Sequence, residues 1–296
     1  MMERYHPVIN LIYFGLVIGC SMVFLHPVCL FVSIVCAAGY TVTLFGFKKA
    51  LKGFGVVIIL MLLTALINPA FSHQGVTELM ELPGGNMLTL ESMLFGVAAA
   101  FMLGSTLLWF RAVSEILTSD KIVYLFGRAF PILGLLLSMI LGFIPKVRKK
   151  YFEIAMCRAK ELNTGNRFYR FKYKLSCYIS NISVLITWIL EDSIEMGRSM
   201  KGRGYGIYGR TRYTIYRFTK RDALMLLFIL VTGIYVIAGA VNGAVSWYYY
   251  PVTGGAGGGA YSISVYAVYA MLCFCPVFET LGAAVSQEMN GKRIRI

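Results

Sequence analysis

Six stretches of apolar residues, each close to the length of a bilayer crossing, constrain this chain more than any other feature. They run over about 8–25, 27–47, 54–71, 88–110, 223–245 and 261–284. A helix rises 1.5 Å per residue, so about 20 apolar residues cover the ~30 Å hydrocarbon core of a membrane. Of the 296 residues, 58% are apolar and 14% are charged. A soluble domain usually carries about 25% charged residues, and one core could not hide so much apolar surface. The fold class that follows is all-α: a polytopic helical membrane protein with about six transmembrane helices.

The charge is uneven as well as large. The net charge is +14. No basic patch with interleaved aromatics sits on a nucleic-acid module, so the chain is read as binding no nucleic acid. Excess Lys and Arg in cytoplasmic loops explains the charge more simply. The loops at 72–87 and 247–260 contain no Lys or Arg, nor does the tight link Leu25-His26-Pro27. By contrast Lys48, Lys49 and Lys52 separate the second and third stretches, Arg111 and Lys121 follow the fourth, and Lys292, Arg293 and Arg295 lie near residue 296. This alternation predicts a multi-pass protein of the cell membrane with both termini cytoplasmic. The Val17-Ile18-Gly19-Cys20 string resembles a lipoprotein box, but the apolar run continues past it and many spans follow, which argues against processing.

Residues 121–221 break the pattern. Between Pro145 and Arg221 there are eighteen Lys and Arg against five Asp and Glu. A single crossing by 122–144 would strand Lys146, Arg148, Lys149 and Lys150 outside and bury Arg128, which costs at least about 2.5–3.5 kcal/mol. The sequence therefore predicts a surface helix through about Phe130 and a long helix starting at Pro131, where proline suits a first turn. A further long helix should run to about Lys201, with 175–190 as its buried half. Three segments result: a four-span region at 1–120, a cytoplasmic or interfacial module at 121–221, and a two-span region at 222–296. The run 254–259 is low-complexity and is read as flexible.

Catalytic patterns are lacking. There is no phosphate-binding G-x-x-x-x-G-K-[ST], no H-E-x-x-H and no G-x-S-x-G. His6, His26 and His73 lie far apart in sequence, and His26-Pro27 reads as a turn. Cys20, Cys29, Cys36, Cys157, Cys177, Cys273 and Cys275 show neither zinc spacing nor a disulfide framework. The expectation is a non-catalytic chain that binds no cofactor or metal of its own.

One motif stands out: Ser199-Met200-Lys201-Gly202-Arg203-Gly204-Tyr205-Gly206, followed by Gly209-Arg210-Thr211. Glycine ends a helix and lets a partner's backbone come close. Arg203 sits where the helix dipole favours a cation, and its planar fork can grip a carboxylate. A plain helix cap beside a membrane-facing charge run is the competing interpretation.

The stretch 188–221 with this motif, together with Pro131 to Lys150, Glu153-Ile154-Ala155, His6-Pro7 and the six-span order, resembles the transmembrane T component of energy-coupling factor (ECF) transporters. The resemblance covers most of the chain, and only the Arg203 motif is specific. It implies two long cytoplasmic coupling helices, each ending in a small–Arg–small motif that docks on one of two ABC-type ATPase subunits. The second motif corresponds to Gly202, Arg203 and Gly204. By residue type the first corresponds to Cys157, Arg158 and Ala159; by spacing from Glu153-Ile154 its Arg position falls on Glu161, followed by Leu162. The resemblance further implies ATP use by the partner subunits and a membrane-embedded S component that binds the vitamin or transition-metal ion. A self-contained secondary transporter is the alternative, with Glu91, Asn68-Pro69 and Glu279 as its candidate groups. A lipid-processing enzyme would need clustered carboxylates or histidines, which the sequence lacks.

Overall fold

The computed structural model describes residues 5–72, 75–81, 87–158, 167–205, 216, 218–255 and 258–293. The chain is all-α, 84% helical. Its described helices are α1 (Pro7–Val23), α2 (Pro27–Phe45), α3 (Phe47–Phe71), α4 (Leu90–Ile116), α5 (Ser119–Ala129), α6 (Pro131–Arg158), α7 (Arg167–Gly202), α8 (Lys220–Val241) and α9 (Ala260–Arg293). Two small antiparallel hairpins, β1 (Glu78–Glu81) with β2 (Met87–Thr89) and β3 (Trp247–Tyr248) with β4 (Gly254–Gly255), were not foreseen from the sequence. Among the described residues six helical segments are long and apolar enough to cross a membrane, the make-up of a multi-pass membrane protein.

The chain forms two compact units, Met1–Thr118 with Tyr216–Ile296, and Ser119–Ile215. The first unit draws on residues from both ends of the chain, and the second is one continuous stretch. In the first unit α1 lies in the buried core. Ile9, Tyr13 and Val17, one turn apart, are fully buried. They share a core with Tyr40 of α2, Trp109 of α4, Ile229 of α8 and Leu272 of α9. Phe14, Tyr40 and Trp109 bring their ring centroids within 6.1–6.4 Å of one another. Two buried polar bonds fix this aromatic core: Trp109 Nε1 donates to Ser33 Oγ at 3.2 Å, and the Tyr13 hydroxyl donates to the Leu272 carbonyl at 3.0 Å.

Helix ends follow local chemistry. Pro7 and Pro27 open α1 and α2, where a missing N–H costs nothing. Thr219 and Asp222 make a reciprocal capping box at α8. Gly46, with φ +76°, separates α2 from α3. Small residues set the closest approach: a Cβ on Gly96 of α4 would stand 3.0 Å from the Ala65 carbonyl oxygen of α3. The outer side of α3, with Val56, Ile59, Leu63 and Leu66, is left exposed by the chain.

In the second unit α5 packs on α6 and α6 on α7. The expected start at Pro131 is found, as is the end of α7 near Lys201. Two expectations need correction. The stretch 175–190 is not a buried half: Leu175, Ile179, Ile186 and Leu190 are exposed, and Asn181 and Leu185 are its buried residues. The reason is geometric. α7 meets α6 along one seam, where Phe143 stacks on Trp188 at 6.1 Å, and one seam cannot cover an apolar surface spread around a helix. The membership of the spans also shifts. α1 is an apolar helix of 17 residues, shorter than the candidate crossings, while 171–202 of α7 is long and apolar enough to cross.

Two glycines of the loop between α8 and α9 are held by strand pairing. A Cβ on Gly255 would come within 2.9 Å of Trp247 Cα, so Gly255 permits the β3–β4 pairing. The flexible reading of 254–259 is therefore corrected for Gly254 and Gly255. The hydroxyl of Tyr249 donates to the Leu25 carbonyl at 2.8 Å, and that of Tyr250 lies 3.2 Å from Ser72 Oγ, which ties three loops together.

Candidate functional site

The end of α7 is built by its glycines. Arg203 N–H donates to the Ser199 carbonyl at 3.1 Å, the last helical bond. Gly204 then turns left-handed, with φ +77°. Its N–H bonds the Lys201 carbonyl at 3.0 Å, and Tyr205 N–H bonds the Met200 carbonyl at 3.0 Å. This 5→2 and 6→1 pair is a Schellman motif, in which glycine avoids the Cβ penalty of the left-handed turn. Gly243 closes α8 with the same pair of bonds, Gly243 N–H to Ala240 and Ala244 N–H to Gly239, both at 3.0 Å.

The two glycines beside Arg203 therefore differ in role. Gly204 is needed for the turn. Gly202 is helical, and a Cβ there would meet nothing within 4 Å. Its bareness serves no contact made by the described chain. Arg203 is exposed, and its guanidinium makes no hydrogen bond or ion pair with a described residue. This planar cation, without a partner among the described residues, stands beside bare backbone at the tip of a 36-residue helix. That arrangement can accept a carboxylate from outside the chain.

The first motif is less fully placed. Cys157 is exposed on the last turn of α6, and Arg158 is that helix's last residue. The Arg158 side chain, Ala159, Glu161, Leu162, Gly206 and 209–211 lie outside the described residues.

Of the groups weighed for a secondary transporter, the two carboxylates are engaged within the chain, whereas the Asn68 side-chain oxygen is buried without a partner among the described residues. Glu91 occupies the first turn of α4 and accepts the Thr77 hydroxyl at 2.5 Å and its N–H at 3.3 Å. Glu279 accepts the Tyr5 hydroxyl at 2.8 Å. Burial first, and then Glu279, push the Tyr5 phenol well up from its ordinary value. α3 runs through Asn68-Pro69 without breaking.

Two histidines have roles the sequence reading missed. His6 and His26 cap α1 and α2, each Nδ1 accepting the N–H two residues on at 3.3 Å, from Val8 and Val28. The repeated His-Pro pair was the available signal. His26 Nε2 lies 3.0 Å from the Tyr266 hydroxyl, which donates to the Ala244 carbonyl at 3.1 Å. The imidazole is thus held neutral, with its proton on Nε2. Among the described residues no group of three or more His, Cys, Asp or Glu side chains could hold a metal ion.

Comparison with protein-family models finds no match for this chain, and comparison with curated proteins finds none either.

Proposed function

We propose that this chain is the transmembrane T component of an ECF-type ABC importer, a non-catalytic subunit that passes ATPase movement to a substrate-binding S component. The observation that carries the reading is Arg203, unpartnered among the described residues and flanked by Gly202 and Gly204 at the tip of α7. In this reading α6 and α7 are the cytoplasmic coupling helices. Two ATPase subunits receive their ends and use the ATP, and a vitamin or transition-metal ion is taken up through the S component. The chain sits in the cell membrane with both termini cytoplasmic.

The composition of α7 supports its cytoplasmic place. It is the least apolar of the six candidate spans. It carries Lys172, Lys174, Glu191, Asp192, Glu195 and Arg198. Each charge in mid-membrane would cost roughly 2.5–3.5 kcal/mol. The secondary-transporter reading is weakened by the local engagement of Glu91 and Glu279.

The test is ATPase retention in detergent pull-downs, with transport assayed alongside. Removing one partner of a desolvated charge pair costs about 2–5 kcal/mol, so Arg203→Ala should loosen the complex by well over about tenfold. Arg203→Lys should restore part of the loss, because an ammonium lacks the fork. Arg203→Glu should be worst. Full ATPase retention and normal transport with Arg203→Glu would reduce Arg203 to a cap and remove the basis of this reading.

A further inference from the structure

Within the first unit, Tyr5, Arg221, Leu224, Met225, Phe228 and Glu279 line an open cleft of about 470 Å³. The cleft lies where two candidate crossings end. Lys220 and Arg221 open α8, and the crossing stretch of α9, Ala260–Thr280, closes beside Glu279. Charged side chains at the end of a crossing stand at the level of the lipid head groups. Two charges of opposite sign thus share one cleft at a membrane surface, yet they stand more than 4.0 Å apart and form no ion pair. The Arg221 guanidinium is exposed and has no partner among the described residues. One Glu279 oxygen accepts the Tyr5 hydroxyl at 2.8 Å, which fixes the carboxylate, and the other bonds no described residue.

The charges select the occupant. A fixed carboxylate with an open oxygen accepts hydrogen bonds from a primary ammonium. A planar guanidinium holds a phosphate, and exposed Lys220 beside it adds positive charge. A ligand with both groups a few bonds apart answers both walls of the cleft, and that is the chemistry of phosphoethanolamine. The apolar residues decide its source. Leu224, Leu227, Val231 and Ile234 are exposed at the spacing of one helix face, a stripe that leaves the cleft along α8. Free phosphoethanolamine would leave this stripe bare, whereas an acyl chain covers it.

We propose that this cleft binds one phosphatidylethanolamine, with its phosphate on Arg221, its ammonium on Glu279 and an acyl chain along Leu224 to Ile234. The site rests on α8 and α9 crossing the membrane and does not depend on the T-component reading.

The experiment uses the full chain, purified in detergent and titrated with phosphatidylethanolamine, phosphatidylcholine or phosphatidylglycerol, with bound lipid counted by native mass spectrometry. One tightly held phosphatidylethanolamine is expected. Phosphatidylcholine, whose ammonium has no N–H, and phosphatidylglycerol, which has no ammonium, should bind more weakly. Losing a charged hydrogen-bond partner should weaken phosphatidylethanolamine about tenfold in Arg221→Gln and in Glu279→Gln. Glu279→Gln should also abolish the preference over phosphatidylglycerol, whereas Arg221→Gln should weaken phosphatidylglycerol as well. Glu279→Gln keeps an acceptor for the Tyr5 hydroxyl, and Arg221 bonds no described residue, so both variants should fold. Lys52→Gln, which removes an exposed cation of α3 outside the cleft, should bind as the parent does. Equal retention of the three lipids, or unchanged binding in either cleft variant, overturns the site. An equal loss in Lys52→Gln would reduce the binding to general surface charge and overturn it too. O-Phosphoethanolamine at the concentration of the lipid should not displace it, and displacement would overturn the assignment to a lipid.

Discussion

The carboxylate of Asp222 joins two helix starts: Oδ1 accepts the backbone N–H of His6, 216 residues before it, at 3.2 Å, and Oδ2 accepts the N–H and hydroxyl of Thr219, each at 2.8 Å. Losing a cap costs about 1 kcal/mol, and an orphaned buried N–H about 1–3 kcal/mol more. Asp222→Ala should therefore destabilise the purified protein by about 2–4 kcal/mol, and Thr219→Ala by about 1 kcal/mol. Unfolding in mixed detergent micelles measures both. Equal losses would mean that the His6 bond contributes nothing.

In the second unit, a Cβ on Gly134 would land on the Gly127 backbone, 2.8 Å from its nitrogen, whereas one on Gly142 would meet nothing within 4 Å. Close approach of backbones is a main source of helix attraction in membranes. Gly134→Ala should separate α5 from α6 and lower the melting temperature. Gly142→Ala should be neutral or gain up to about 1 kcal/mol of helix propensity. Limited proteolysis within 119–158 would register the difference. Equal behaviour of the two variants would show that α5 and α6 do not meet at these glycines.

His26 supplies a pH dependence. Burial holds its pKa below the ordinary 6.5. The folded state prefers the neutral ring, so the unfolded chain binds more protons at acid pH. This contribution is complete above about pH 6.5 and is lost as pH falls from there through the lowered folded value. His26→Asn keeps an oxygen acceptor for Val28 N–H and removes the titration. Melting temperatures between pH 7 and pH 5 should fall less in His26→Asn than in the parent. Parallel profiles would rule the imidazole out.

The place of α7 can be settled by labelling single cysteines on a background without the native ones. Val252→Cys, in the loop between α8 and α9, should react with an impermeant reagent from outside, and Lys149→Cys should not. Glu195→Cys, on the last turns of α7, should behave as Lys149→Cys does. External labelling at Glu195 would make α7 a true crossing and exclude the coupling-helix reading.

Much of the fold was legible because proline and glycine act locally. Pro7, Pro27 and Pro131 each open a helix as their fixed φ requires, and Gly202 to Gly204 close α7 where the sequence placed its end. Pro69, Pro145 and Pro276 lie inside helices that continue past them, because neighbouring packing can outweigh one lost bond. What could not be read was pairing at a distance. An apolar 175–190 looks buried in one dimension, yet burial depends on how many helices lie around it. The cleft shared by Arg221 and Glu279 was hidden for the same reason, since the two lie far apart in sequence until α8 stands beside α9. The Arg203 motif was visible because its parts lie within the eight residues Ser199 to Gly206. The capping roles of His6 and His26 were equally local, and the repeated His-Pro pair was the sign of them.

Helix α1 is buried in the core of the first unit, and this has a consequence in time. It leaves the ribosome well before α8 and α9, yet Tyr13 must wait for Leu272, 259 residues later. At about 5–20 residues per second, that interval is roughly 13–50 s. Throughout it, Asn10 and Ser21, both buried in the finished protein, have no completed bundle to enter. The nascent chain must keep its first helix sheltered, by the insertion machinery or a membrane chaperone, until the ninth is made. Chains truncated before α8 should therefore be cleared by membrane proteases far faster than the whole protein.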